Sequence, residues 1–89
     1  MTITIRVSAQ SRTTHVAGCI AKTLRIQQSM TVQAIGASAV NQAVKAVAIA
    51  RGYLSEDGLD VVMRPRFDMA GDLEECTVVM LSLERVSIA

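Results

Sequence analysis

The chain has 89 residues and a formal net charge of +1, which is enough for one packed core and too little for two. With 51% hydrophobic and 19% charged residues it is globular rather than disordered in composition. Its richest apolar run, Ala43 to Ala50, is interrupted by Lys45 and falls far short of the ~20 residues of a membrane-spanning helix. The alternating start, Met1 to Arg6, lacks the apolar core of a signal peptide. These features predict a single domain over residues 1–89, cytoplasmic and with no membrane partner.

Ile3, Ile5 and Val7 alternate with Thr2, Thr4, Arg6 and Ser8, the period of two that marks a strand buried on one face. The polar turn from Ser8 to Thr14 offers hydroxyls to cap a following helix. From Thr14 to about Gln28, Val16, Cys19, Ile20, Thr23 and Leu24 recur at helical spacing, opposite Gly18, Lys22 and Arg25. That pattern predicts an amphipathic helix with one buried stripe.

Thr31 to Gly36 reads as a short second strand, and Gly36-Ala-Ser38 turns the chain into a second helix, Ser38 to Leu54. Its alanines favour helix, and Gly52 fits a C-terminal stop. Val40, Ala43, Val44, Val47, Ala50 and Leu54 share one face. Ile49 and Tyr53 point nearly the other way, beside Gln42, Lys45 and Ala46. A helix that is apolar on two sides packs against two things, which makes Ile49 and Tyr53 the candidates for an interface between subunits.

Asp57-Gly58 marks a turn into Leu59–Phe67, and Ala70-Gly-Asp72 a loop into Glu75–Glu84. The two runs read as a hairpin with a rather long connection. Pro65 cannot donate to a ladder and belongs on an edge or at a bulge. The order β-α-β-α-β-β predicts an α/β chain of the α+β two-layer kind, with two helices on one face of a four-stranded sheet. The pattern leaves the strand order open.

No catalytic constellation stands out, and the chain reads as non-enzymatic, with no cofactor and no metal. Cys19 and Cys76 form no CxxC pair, and in a reducing compartment both are expected as small buried hydrophobes rather than a disulfide. His15 lies four residues before Cys19 on the same helix, but no third group is placed to orient a thiolate pair. Asp68, Asp72, Glu74 and Glu75 lack the spacing and glycine of a calcium loop and read as a solvated hairpin tip. Gly36 to Ser38 resembles half a phosphate cradle without the lysine or glycine spacing of a P-loop. Tyr53 and Phe67 are the two aromatic residues and there is no tryptophan, which excludes modules that stack several bases on aromatic rings.

The small net charge conceals a gradient. Residues 1–55 carry six basic side chains and no acid, whereas residues 56–89 carry all eight acids and three arginines, a split of +6 and −5. The split is read either as an anionic partner or complementary subunit for one surface, or as two halves that interleave and neutralise each other. The basic constellation is Arg12 in the turn before the first helix, with Arg64 and Arg66 flanking Pro65. Two residues apart on a strand, Arg64 and Arg66 share a face and can straddle adjacent phosphates.

The run from Gln33 to Gly52, Gln-Ala-Ile-Gly-Ala-Ser-Ala-Val-Asn-Gln-Ala-Val-Lys-Ala-Val-Ala-Ile-Ala-Arg-Gly, resembles the central signature of the stage V sporulation protein S family. Val7-Ser-Ala-Gln-Ser11 and Val16-Ala-Gly18 match that family's first strand and helix, so the resemblance covers nearly the whole chain. That family is similar in turn to the Alba proteins, small chromatin and RNA binders of the same element order.

The resemblance implies an Alba-like fold, assembly into a homo-oligomer (a dimer or larger), and binding of DNA or RNA with low sequence specificity. The matching positions are the turn with Arg12 and the hairpin with Arg64 and Arg66; Lys45 joins them if the outer face of the second helix lines a shared groove. The uncharged stretch from Gln33 to Ser38 and the acidic hairpin tip depart from the Alba pattern. A scaffold that keeps the fold and self-assembles without nucleic acid is the alternative, motivated by Ile49, Tyr53 and the charge split.

Overall fold

The computed structural model describes residues 2–68 and 77–88. In chain order the elements are β1 (Ile3–Val7), α1 (Thr13–Ile26), β2 (Ser29–Ile35), α2 (Ala37–Ser55), β3 (Leu59–Phe67) and β4 (Val78–Ser87). The four strands form one sheet in the order β1-β2-β4-β3. β1 runs parallel to β2, and β4 runs antiparallel to both β2 and β3. Two helices packed with a four-stranded mixed sheet make this an α+β two-layer, Alba-like fold, as the element order predicts.

The core lies between the sheet and the helices. Met30, Val32 and Ala34 of β2 meet Leu81 and Leu83 of β4, Val7 of β1 and Val61 of β3. α1 contributes Val16, Ala17, Ile20, Ala21 and Leu24, and α2 contributes Ala39, Ala43, Ala46, Val47, Ala50 and Leu54. The alanines at 39, 43, 46 and 50 recur once per turn, so a smooth strip of small side chains lets α2 pack closely against its neighbours. Pro65 sits on β3, an edge strand, where a missing N–H costs no ladder bond.

Several expectations from the sequence are corrected. Cys19 is exposed rather than buried, because the buried stripe of α1 runs through Ala17 and Ala21, each of them roughly 160° round the helix from Cys19. Cys76, Asp72, Glu74 and Glu75 lie outside the described residues. On α2, Val44 is exposed while Ala46 is buried, and Ile49 packs against the core instead of pointing outward. α2 touches α1, β1, β2 and β3, so its buried arc is wider than one stripe.

The turn hydroxyls do not cap α1. Its N-cap is Arg12, with no side-chain cap bond, and the serines instead hold the turn itself: Ser8 N donates to Ser11 Oγ at 2.9 Å and Gln10 N to Ser8 Oγ at 3.2 Å. Gln42 of α2 ties that turn down by donating to the Ser11 carbonyl at 2.8 Å. Gly52 does not stop α2, which continues to Ser55; the left-handed residue is Gly58, at φ 71° in the turn into β3. The second hairpin strand, described over Val78–Ser87, runs past Glu84; its expected start at Glu75 lies outside the described residues.

Candidate nucleic-acid interface

Strand pairing decides which side chains share a surface. Residues opposite each other on neighbouring strands point to the same face, and alternate residues to opposite faces. Val32 faces Leu81 and Met30 faces Leu83 on the helix side. The other face is therefore carried by two rows across all four strands. One is Arg6–Gln33–Met80–Arg66, and the next is Thr4–Thr31–Ser82–Arg64. Among the described residues no helix packs on this face: Arg6, Thr4, Arg64 and Arg66 are exposed, Gln33, Met80 and Ser82 are half-buried, and Thr31 is buried.

Arg64 and Arg66 thus share one face, as their spacing predicts. Arg64 reaches diagonally to Glu84 on β4, with Nη2 to Oε2 at 3.1 Å. Three-quarters of the Arg64 side chain remains exposed, and such a surface pair is worth at most about 1 kcal/mol, so it is easily exchanged for another anion. Arg66 has no ion pair among the described residues.

Arg12 lies at the opposite edge of the sheet, where it lines a groove between β1 and α1 with Ile5, Arg6, Ser11, His15, Val16 and Cys19. His15 and Cys19 therefore do share a groove, with no third orienting group among the described residues. Lys45 is exposed on α2, in the helix layer, and within one chain it shares no surface with Arg64 and Arg66. Tyr53 keeps 38% of its surface exposed, whereas Ile49 is partly buried and packs against the core.

Arg6 is the residue that sequence reasoning passed over. It belongs to both the β1–α1 groove and a second groove with Ser8, Gln10, Gln33 and Ile35. The signal was present in the alternation of β1, which turns Arg6 away from Ile3, Ile5 and Val7. What the alternation lacked was the register that sets Arg6 in the same row as Arg66.

The remaining arginines are engaged. Arg25 Nε bonds Asp57 Oδ2 at 2.8 Å, and Arg51 Nε bonds Asp60 Oδ1 at 2.7 Å. Both pairs join the basic first part of the chain to the acidic second part, so the two halves interleave, as one of the two readings of the charge split expected. Hydrogen bonds from the Arg51 guanidinium and from Val61 N–H hold the Asp60 carboxyl below the ordinary carboxylate range. Arg85 Nη1 donates to the last carbonyls of α1, Leu24 O at 2.9 Å and Arg25 O at 3.1 Å.

This arrangement defines an Alba-like two-layer domain with one uncovered, arginine-edged sheet face. The family model described as Stage V sporulation protein S (SpoVS) matches residues 3–86. The chain belongs to the stage V sporulation protein S family, and membership supports a role connected with sporulation. Among the described residues no group of histidine, cysteine and acidic side chains is placed to hold a metal ion, and no helix is long and apolar enough to cross a membrane.

Proposed function

We propose that the protein is a non-enzymatic, cytoplasmic nucleic-acid-binding regulator that acts as an oligomer through phosphate contacts. The observation that carries this reading is the state of its cations. Arg6, Arg12 and Arg66 stand outside every ion pair among the described residues, while Arg25 and Arg51 are held by carboxylates. Arg6 and Arg66 lie in one row across the sheet, on its two edge strands. The C-terminal ends of β1, β2 and β3 lie at one end of the sheet, since Val7 pairs with Ala34, Ala34 with Val79, and Val79 with Phe67.

Arg12, Arg64 and Arg66 are the phosphate contacts in this proposal. Lys45 joins them only where a second copy brings its α2 alongside. Backbone contacts without base-edge readout give low sequence specificity, and few cations per subunit make affinity depend on pooling charge between subunits.

The test is a titration of labelled duplex DNA and duplex RNA at several salt concentrations. Binding that weakens steeply as salt rises is expected. A protein that binds neither at low salt is not a nucleic-acid binder. In that event the second reading, a self-assembling scaffold, takes over. It is supported by the exposed Phe67, Val44 and Tyr53 and by an apolar groove that Val40 and Val44 form with Val79.

A further inference from the structure

We infer that the uncovered sheet face binds double-helical RNA across its shallow minor groove, with Arg6 and Arg66 as the two flanking phosphate contacts. The inference rests on the reading of the protein as a nucleic-acid binder and names its ligand and its surface. In the row Arg6–Gln33–Met80–Arg66 the two guanidinium groups stand on the two edge strands, three strand spacings or ~14 Å apart at the backbone. Between them the two rows carry uncharged side chains on the central strands, of which Gln33 and Ser82 can donate and accept hydrogen bonds and are half-buried; Glu84, the next residue of β4 on this face, is occupied by Arg64. Arg64, ~7 Å along β3 from Arg66, adds a third cation on the same edge, releasable from Glu84.

Shape selects among polyanions. A face four strands broad does not enter the B-form grooves, which are about 12 Å and about 6 Å wide and about 8 Å deep and which admit a helix or a two-stranded ribbon at most. The A-form minor groove is wide and shallow, bordered by phosphates, and displays 2′-hydroxyls. A flat strip with amide and hydroxyl groups between two arginines complements it: the arginines meet the bordering phosphates while Gln33 and Ser82 meet the 2′-hydroxyls. Single strands are disfavoured because no aromatic side chain stands on the described part of this face, so bases have nothing to stack on.

The experiment measures fluorescence anisotropy of the full chain with labelled duplex RNA, duplex DNA of the same sequence, and single-stranded RNA, each over a salt series. Duplex RNA is expected to bind tightest, by at least several-fold. Arg6→Gln and Arg66→Gln are each expected to weaken it and to reduce the salt slope by about 1, while Arg6→Lys retains the charge and most of the binding. Gln33→Ala together with Ser82→Ala is expected to narrow the RNA–DNA difference without changing the salt slope. Lys22→Gln, an exposed change on α1 in the helix layer, leaves binding as it was.

Duplex DNA or single-stranded RNA binding as tightly as duplex RNA overturns the inference and leaves nucleic-acid binding standing. So does a chain that binds but for which Arg6→Gln and Arg66→Gln behave like Lys22→Gln. Failure of the unmodified protein to bind any of the three removes the underlying reading itself.

Discussion

Single residues in this protein are governed by backbone geometry as much as by side-chain chemistry, and two glycines separate the effects. Gly58 sits at φ 71°, a region that a side chain makes costly. Gly52 lies inside α2 with nothing within 4 Å of where a Cβ would stand. Gly58→Ala is therefore expected to lower unfolding free energy by roughly 1–2 kcal/mol, and Gly52→Ala to raise it by up to about 1 kcal/mol. Chemical denaturation of both variants checks the pair; equal effects of the same sign would contradict the placement of the turn. Asp60 shows the other kind of control. Its carboxyl is held ionised by Arg51, so any stability it adds is present above the ordinary carboxylate range and is lost as pH falls through its lowered value.

Elements are joined at their ends by a few polar contacts around the apolar core. The C-terminus of α1 leaves carbonyls without helical partners, and Arg85 of β4 takes up two of them while its own main chain exchanges bonds with Gln28: Arg85 N donates to Gln28 O at 2.9 Å, and Gln28 Nε2 to Arg85 O at 2.8 Å. A cation at this end of a helix is also favoured by the helix dipole. Arg85→Met is expected to destabilise the fold by about 1 kcal/mol, with hydrogen exchange rising in the last turn of α1 before it rises elsewhere. Uniform exchange across both helices would mean that Arg85 does not hold that end. The resemblance of Gly36 to Ser38 to a phosphate cradle also belongs at this scale. Gly36 adopts φ 88° and its N–H already bonds the Thr77 carbonyl at 3.0 Å, so that donor is committed to the sheet end.

At the scale of the whole molecule, the two layers face different surroundings. The helix layer and hairpin expose Val44 and Phe67, at 42% and 67%, and an apolar groove runs beside Val44; the sheet face is arginine-edged across its middle rows and exposes Ile35 and Val62 outside them. Assembly through the apolar side would leave the sheet faces of both copies available. Val44→Asp is expected to reduce association, measured by light scattering, with little loss of monomer stability. Ile49→Asp is expected to destabilise the fold itself, since Ile49 packs on the core. A protein that is monomeric before and after Val44→Asp would remove the oligomeric part of the proposal.

Periodicity alone determined the six elements, their order and the two-layer class, because an apolar stripe at a period of two or 3.6 leaves few ways to bury itself. It also limited Pro65 to an edge or a bulge and set Arg64 and Arg66 on a common face, both local consequences of backbone geometry. It misjudged Cys19, Val44 and Ile49, because the centre and the width of a buried arc depend on which elements pack against a helix, and those are set by the tertiary fold. Only the tertiary structure decided that β1 and β3 form opposite edges, that Arg6 stands level with Arg66, and that Lys45 lies in the other layer. Register and strand order arise from contacts between segments far apart in the chain, and no local pattern encodes the partner across a sheet.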